Sequence, residues 1–394
     1  MTYQQDCTIP AEILEQIARD GFDCLPDLLR VMFNTAMQAE RQQYLGVGPY
    51  ERNPDRRGHA NGYKDKTVKT RVGEITLAVP QVREGGFYPA ALEKGLRSER
   101  ALILTLAEMY CQGVSTRKVS AIIEKMCGTD VSSAMVSKAT ALMDGKLESW
   151  RNSEIGEIPY LTLDARYEKA HQDGQVRDVA ILIASGVIPD GHRKILGVSV
   201  SMSEGEIHWR NFLESLMKRN LRGVKLITSD DHAGLKAARL AVFGGIPWQR
   251  CQCHLQQDAQ TYVPHKEMDK EVAGDIRAIF NAPDRTTADS YLTRTIQKYS
   301  KKASKLAAWM EKNIPEGLTV FSFPVEHRRL IRTTNSLERL NREIRRRTRV
   351  VSIFPSEASC LRLISAILME TSDEWEGGKI YLTLKSENLK DLPE

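Results

Sequence analysis

The stretch VKLITSDDHAGLKAARL (224–240) passes from an apolar run into two adjacent acids and then into a helical pattern. The run has the length and composition of a short buried strand, so Asp230 follows directly after the strand's carboxyl end. Neighbouring carboxylates repel each other, so Asp230 and Asp231 are expected to differ in role unless both are merely solvated. Either acid could also cap the helix that follows.

Strand and helix patterns around this stretch predict the fold of the central part of the chain. Three strand patterns precede it, IPYLTLDARY (158–167), VRDVAILIASGVI (176–188) and HRKILGVSVSM (192–202). A helical pattern follows at 205–219, and another short strand pattern, PWQRC, lies at 247–251. Three strands, a helix, a strand, a helix and a strand give the order of a ribonuclease-H-like fold.

The other segments predict a multidomain chain of the α+β and α/β classes. Apolar residues at helical spacing predict a helical N-terminal arm over 1–60, which could supply a dimer interface. The further predicted parts are a basic loop and β-hairpin at 61–97, a helix-turn-helix-like DNA-binding region at 98–150, a catalytic domain at 151–376 with a helical insertion at about 255–318, and a tail at 377–394. The final long helix is expected from about Thr334 to Arg349.

The helix-turn-helix prediction depends on residues that cap helices and form turns. Ser115 and Ser132 are suited to cap two helices, and Gly128 marks the turn between them. Two ordinary packed helices would explain the same pattern equally well. In the DNA-binding interpretation, the second helix presents Ser133, Ser137, Lys138 and Thr140 to DNA.

Three acids could lie together at one end of the predicted sheet. Asp164 stands near the end of its strand as Asp230 does, and a buried acid needs a salt bridge, a metal ion or water. Neighbouring strands would let both carboxylates share a hard cation. Glu338 borders the buried stripe of the last helix, although an ordinary Glu338–Arg342 pair is the alternative and Glu343 competes with it for a catalytic role. Such acids can hold two Mg²⁺ or Mn²⁺ ions about 3.5–4 Å apart.

Positive charge is concentrated in two segments. Residues 327–349 hold nine arginines against two glutamates, whereas the whole chain has a net charge of only +5. A second basic stretch lies at 51–71. Arginine binds phosphate oxygens bidentately, so the two clusters favour nucleic acid over a merely solvated face. The candidate phosphate contacts are Arg339, Arg342, Arg345, Arg346 and Arg349 on the last helix and Lys66 and Lys69 on the hairpin.

The cysteines indicate a reducing compartment. Seven cysteines are scattered along the chain without a disulfide framework. The sequence has neither a long apolar run nor a signal-peptide pattern, so we expect a cytoplasmic protein with no membrane partner. Cys251, Cys253 and His254 form a cluster. Zinc is not expected there, because no second Cys/His pair follows at finger spacing and the nearest extra candidate is His265.

Several motifs together resemble the Mutator-like DDE transposases of bacterial insertion sequences. The resemblance covers about residues 56–376 and is weaker in GHANGYKDKTVKTRVGEITLAVPQVR and the GVSTRKVS helices. The motifs that carry it are YLTLDARY with Asp164, KILGVSVSMSEGEIHWRNFLESL with Trp209, LITSDDHAGL with Asp230 and His232, WQRCQCH with Cys251 and His254, and NSLERLNREIRRRTR with Glu338.

This resemblance implies that Asp164, Asp230 and Glu338 are the catalytic, metal-binding acids. It implies cleavage of double-stranded DNA at terminal inverted repeats and strand transfer into target DNA by a nucleoid-associated enzyme. We expect a homodimer, because two element ends must be brought together. His232, Cys251, His254 and Trp209 would support the site. Asp231 departs from the small residue usual at its position, and we expect it to cap the following helix. The alternative function is a sequence-specific DNA-binding regulator with an inactive ribonuclease-H-like domain.

Overall fold

A computed structural model of the chain describes residues 11–48, 54, 56–83, 86–92, 94 and 98–384, with only the backbone described for 11–14. Parts of the predicted N-terminal arm and basic loop and the tail from 385 to 394 therefore lie outside the described residues. The chain divides into two compact units, Met1–Leu142 and Met143–Glu394. Within the described ranges, no helix is long and apolar enough to span a bilayer.

The first unit begins with helices and a hairpin, as predicted. The elements are α1 (Ala11–Asp20), α2 (Leu25–Leu45), β1 (Ala60–Thr70) and β2 (Gly73–Val82). The two strands pair antiparallel, and Thr70 faces Gly73 across a two-residue turn. Gly73 has a φ of 116°, a conformation that favours glycine. Met37 of α2 packs against the apolar face of β2, which consists of Ile75, Leu77 and Val79.

Three helices complete the first unit, namely α3 (Arg100–Cys111), α4 (Thr116–Cys127) and α5 (Ser133–Ala141). The predicted caps are confirmed, because Ser115 Oγ accepts from the Lys118 amide and Ser132 Oγ from the Met135 amide. Gly128 ends α4 in the left-handed conformation. The prediction that Thr140 faces DNA is wrong. Its side chain is buried and donates to the carbonyl of Ser137, since it follows Val136 and Ala139 on the packed face of α5.

A five-stranded sheet forms the centre of the second unit. Its strands are β4 (Tyr160–Gln172), β5 (Gln175–Val187), β6 (Arg193–Ser201), β8 (Leu226–Ser229) and β9 (Trp248–Arg250), and the short β3 (Gly156–Glu157) and β7 (Leu221–Arg222) pair separately. The spatial order is β6-β5-β4-β8-β9. The first three strands along the chain are antiparallel neighbours, whereas β8 and β9 run parallel to β4. The predicted strand patterns are therefore present in one sheet.

Helices cover both faces of this sheet. The helices α7 (Glu206–Lys218) and α8 (Ala233–Phe243) pack on the face that carries Leu161 and Leu163. The helix α15 (Glu357–Glu376) contacts β6 and β4, and α6 (Asp144–Arg151) contacts α15. The prediction that the helix near 334–349 is the last one is wrong, because α15 follows it. Its N-terminus uses Ser356 and Ser359 as a reciprocal cap rather than the usual Ser with Glu or Gln.

Helices also fill the segment after β9, where the sequence predicted a helical insertion. They are α9 (Gln252–Gln260), α10 (Asp269–Phe280), α11 (Arg285–Tyr299), α12 (Ser304–Asn313) and α13 (Val325–Ile331). Their apolar residues share a core with Tyr160 of β4 and Leu226 of β8. The arginine-rich helix, α14 (Asn335–Thr348), follows within a residue of its predicted bounds. It buries Leu337, Leu340 and Ile344, which form the predicted stripe.

Candidate active site

The two predicted catalytic aspartates occupy equivalent positions on neighbouring parallel strands. In the β4–β8 pairing, Leu161 faces Ile227 and Thr162 faces Thr228. Asp164 and Asp230 follow two residues later on their respective strands. Because side chains alternate along a strand and neighbouring strands are about 4.8 Å apart, the two carboxylates emerge together on one face. The expectation that these acids share one end of the sheet is thus met by the register.

Asp164 is almost completely buried, with 6% of its surface exposed. Its carboxylate accepts one hydrogen bond from the amide of Ala165 at 2.9 Å and another from Asn341 Nδ2 at 2.7 Å. Burial, and then the negative charge of Asp230, raise the pKa of Asp164 to about 7. Burial also raises the pKa of Asp230. Two desolvated acids that repel each other form a site that a cation would stabilise.

Glu338 lies in the first turn of α14 and is half-buried. Its Oε1 atom is buried and has no hydrogen-bond partner, and the alternative pair with Arg342 is not among the ion pairs of the described residues. Asn341 lies one turn further along the helix and bonds to Asp164. Because residues three apart share a helix face, α14 turns the side that carries Glu338 towards the aspartates.

The cysteine and histidine cluster lies beside these acids. The side chain of Cys251 is fully buried and accepts hydrogen bonds from the amide and hydroxyl of Thr334 at 3.4 and 3.3 Å. Hydrogen bonds from Cys253 and His254 lower the pKa of the Cys251 thiol well below its usual range. The bond with Cys251, and then the charges of Cys251, Asp164 and Asp230, raise the pKa of His254 to about 9. Cys251 and His254 therefore adjoin the aspartates and interact with their charges.

Glu204 is a buried acid that sequence reasoning missed. It lies in the loop before α7, with 8% of its surface exposed, and its Oε2 is 3.7 Å from Nδ1 of His232. Burial raises the pKa of Glu204, and the charge of Asp230 raises it further. A Cβ atom on Gly234 would lie 2.1 Å from the carbonyl oxygen of Glu204, so glycine permits α8 to approach this loop. The sequence did contain a signal for this acid, because Glu204 lies within the quoted motif KILGVSVSMSEGEIHWRNFLESL.

The prediction that Asp231 caps α8 is wrong. The N-cap position belongs to His232, whose side chain makes no capping hydrogen bond. Asp231 instead forms ion pairs with Arg250 and Lys236, each at 2.9 Å. Arg250 is buried and also pairs with Asp258 and Glu316. A buried guanidinium costs several kcal/mol unless it is paired, which explains why this contact takes precedence over a cap worth about 1 kcal/mol.

Comparison with known proteins gives the family of this chain. The sequence profile described as "Transposase, Mutator family" matches residues 2–378. A transposase for insertion sequence element IS406 of Burkholderia multivorans is 55% identical over 368 residues, which are 93% of this chain and 95% of the relative. The chain belongs to the Mutator family of transposases.

Two further relatives agree with this assignment. A transposase for insertion sequence element ISRM5 of Rhizobium meliloti is 41% identical and covers 100% of this chain and 98% of its own. A transposase for insertion sequence element IS256 in transposon Tn4001 of Staphylococcus aureus is 37% identical. The match covers 92% of this chain and 93% of that relative. Membership of the Mutator family makes the chain a DNA transposase, and the alternative of an inactive regulator is not favoured.

Trp209, one of the predicted supporting residues, lies in the apolar core between α7 and the sheet. Its side chain is fully buried beneath the sheet, and its ring centroid is 6.0 Å from that of Phe212. Any support that it gives to the acids therefore acts through the packing of α7 against the sheet.

The candidate DNA contacts of this transposase fall into three groups. Arg339, Arg342 and Arg345 are exposed on α14, and Arg349 is exposed directly after it; the ion pairs found within the described ranges do not involve these four residues. Arg346 is also exposed but pairs with Glu343 at 2.7 Å. Lys66 donates to the Tyr88 hydroxyl, and Lys69 pairs with Glu74 and donates to the Asp130 carbonyl. The α5 candidates Ser133, Ser137 and Lys138 are exposed.

Proposed function

We propose that this Mutator-family protein is the transposase of a bacterial insertion sequence and that Asp164, Asp230 and Glu338 are its catalytic acids. It would cleave double-stranded DNA at the terminal inverted repeats and join the ends to target DNA. The observation that carries the proposal is the equal register of Asp164 and Asp230 on paired strands, with α14 bonded to Asp164 through Asn341. The strand order β6-β5-β4-β8-β9 supports a ribonuclease-H-like core for this chemistry.

The donor atoms at this site fit hard divalent cations. All three acids offer carboxylate oxygens, the ligand type that Mg²⁺ and Mn²⁺ prefer. The buried Oε1 of Glu338 has no partner, and the pKa of Asp164 is raised by burial and by Asp230, so positive charge would stabilise both acids. Asp164, Asp230 and Glu338 would together hold two such ions, which when bound stabilise the attacking and leaving oxygens of phosphoryl transfer.

The protein's own side chains would orient these acids and hold the substrate. Asn341 and the amide of Ala165 each donate to one oxygen of Asp164 and so orient its carboxylate. His254 lies near both aspartates, so a proton on its ring would partly offset their negative charge. The arginines on the exposed face of α14 would hold DNA phosphates next to the acids, because guanidinium groups bind phosphate oxygens bidentately.

The domain plan follows from this function. The arm at 1–60 would help to form a homodimer that brings two element ends together, and exposed apolar side chains such as Phe22, Val31 and Met32 suit such an interface. The hairpin at 61–97 and the helices at 98–150 would bind the inverted repeats. The region 151–376, with its helical insertion at 255–318, would carry catalysis, and the protein would work on the nucleoid.

Substitution of the acids tests the proposal. Asp164→Asn, Asp230→Asn and Glu338→Gln should each lower Mg²⁺-dependent cleavage of labelled inverted-repeat DNA by on the order of 10³-fold, the equivalent of several kcal/mol of lost charge stabilisation. DNA affinity should be retained, because the arginines are unchanged. Full cleavage by any one variant would remove that residue from the catalytic set.

The matched control is Asp231→Asn, in the position next to Asp230. This variant should still cleave DNA, because its carboxylate is engaged by Arg250 and Lys236. It should instead lower the free energy of unfolding by about 1–3 kcal/mol, since buried Arg250 loses one of its charged partners. Loss of cleavage in Asp231→Asn with unchanged stability would reverse the roles assigned to the two acids.

A further inference from the structure

We propose that Cys251, Cys253 and Glu338 form a second metal site, selective for thiophilic divalent cations such as Zn²⁺ and Cd²⁺. Occupation of this site would hold the Glu338 carboxylate away from the two aspartates and so inhibit the enzyme. The binding part of the proposal concerns these three side chains alone. The inhibitory part rests on the function proposed above for Glu338.

The geometry comes from two segments that are far apart in sequence. One ligand atom from each of the three side chains lies within 4.8 Å of the other two. Ligand atoms around one tetrahedral zinc ion, with Zn–S bonds of about 2.3 Å and Zn–O bonds of about 2.1 Å, are roughly 3.6–3.8 Å apart. Displacements of the three ligand atoms by about 1 Å, through side-chain rotation, would therefore bring them to the spacing that zinc requires. The spacing of the cysteines gave no such ligand set, because Glu338 joins it only through the packing of α14.

The surroundings of these atoms resemble those of a bound thiolate. Cys251 is held by the amide and hydroxyl of Thr334, and hydrogen bonds from outer groups commonly orient metal-bound ligands. The Cys253 thiol contacts Asn335 Oδ1 at 3.2 Å, next to the helix turn that carries Glu338. The Oε1 atom of Glu338 is buried without a hydrogen bond and can accept a cation. Three protein ligands would leave a fourth position for water, as in many open zinc sites.

The choice of metal follows from ligand softness. Two thiols and one carboxylate favour zinc and cadmium strongly over magnesium, which prefers oxygen ligands throughout. Asp164 and Asp230 offer only carboxylate oxygens, which favour magnesium. Glu338 belongs to both groups and can complete only one of them, so a soft cation competes with the hard ions for this single carboxylate.

Binding is measured with Cd²⁺ alone, without DNA or Mg²⁺, from the ultraviolet absorption of the cadmium–thiolate bond. We expect one Cd²⁺ per wild-type chain, displaceable by Zn²⁺. Cys253→Ser should weaken this binding by more than about 100-fold, because outer-shell partners alone are worth about 10–100-fold. Glu338→Gln should weaken it while retaining the absorption band. The matched control, Cys127→Ser, removes another half-buried thiol and should bind like wild type.

Equal Cd²⁺ affinity in wild type and Cys253→Ser would overturn the site, and wild-type affinity in Glu338→Gln would remove the carboxylate from it.

The inhibitory part of the proposal is tested by measuring Mg²⁺-dependent cleavage with and without Zn²⁺, with each variant compared with its own zinc-free rate. Zn²⁺ should inhibit wild type and Cys127→Ser but not Cys253→Ser, and equal inhibition of all three would overturn it. Absence of cleavage in every chain would reject the proposed function, while the Cd²⁺ measurement would still decide the site.

Discussion

The two faces of α14 differ in burial and in charge. The inner face buries Leu337, Leu340 and Ile344, and from it Asn341 reaches the carboxylate of Asp164. The outer face exposes arginines, most of which have no ion pair among the described residues. One helix thus connects the proposed chemistry with the proposed DNA contact, and changes on the two faces should have separable effects.

The hairpin gives a second contrast with the outer face. Its strand β1 also carries cations at short spacing, yet Lys66 and Lys69 are half-buried and have partners inside their own unit. A charge that is already paired or packed gains less from a phosphate than a solvated one, because the existing contact must be given up. The number of basic residues in a segment therefore predicts DNA binding less well than their availability.

The largest effect is expected on the inner face. Asn341→Ala should lower Mg²⁺-dependent cleavage by roughly 10- to 100-fold, because a hydrogen bond to a charged group is worth about 1.5–3 kcal/mol. Since Asn341 positions a proposed metal ligand, higher Mg²⁺ should restore part of the rate, whereas a general folding defect would not respond. The measurement is the cleavage rate as a function of Mg²⁺ concentration, with DNA affinity measured in parallel.

The control for this change is Asn335→Ala, which removes the same side chain from the same helix without a contact to Asp164. It should cleave DNA at close to the wild-type rate. If both asparagine variants lost the same activity, or if Asn341→Ala lost DNA binding instead of cleavage, the separation between the faces of α14 would fail.

An intermediate effect is expected on the outer face. Replacement of both Arg342 and Arg345 by alanine should weaken binding to all DNA sequences by roughly 5- to 30-fold at moderate salt, because each exposed ion contact is worth up to about 1 kcal/mol. The dependence of log affinity on log salt should become shallower by about 1.8, or about 0.9 for each lost phosphate contact. Arg346→Ala is the matched control, because Glu343 already holds that guanidinium. An unchanged salt slope in the double variant would place the DNA elsewhere.

The sequence predicted most of what depends on local pattern. The strand runs, the caps at Ser115 and Ser132 and the stripe of α14 each follow from residues a few positions apart, so periodicity and capping chemistry were sufficient. The placement of Asp164 and Asp230 was also within reach, because each acid follows an apolar strand and the strand order implied that the two are neighbours.

The errors at Thr140 and at α15 concern local patterns that were read incorrectly, whereas those at the site depend on residues distant in sequence. Aspartate is a residue type that commonly caps helices, but Asp231 pairs with Arg250 because that guanidinium is buried. Glu204 lies in a loop without periodicity, and its proximity to His232 arises from the approach of α8 at Gly234. Asn341 looks like any polar helix residue until α14 is packed against β4. Tertiary packing decided these contacts, and no spacing rule contains it.

The smallest effect is expected in the hairpin. Replacement of both Lys66 and Lys69 by alanine should lower DNA affinity by less than about threefold and change the salt slope by less than half the change in the α14 double variant. The reason is that Lys66 bonds Tyr88 at 2.9 Å and lies over its ring, while Lys69 pairs with Glu74 at 3.3 Å. The comparison uses the same DNA and salt series for both double variants. A hairpin slope change equal to that of the arginine pair would mean that these lysines leave their partners for phosphate, and that pairing in the free protein does not predict which cations bind DNA.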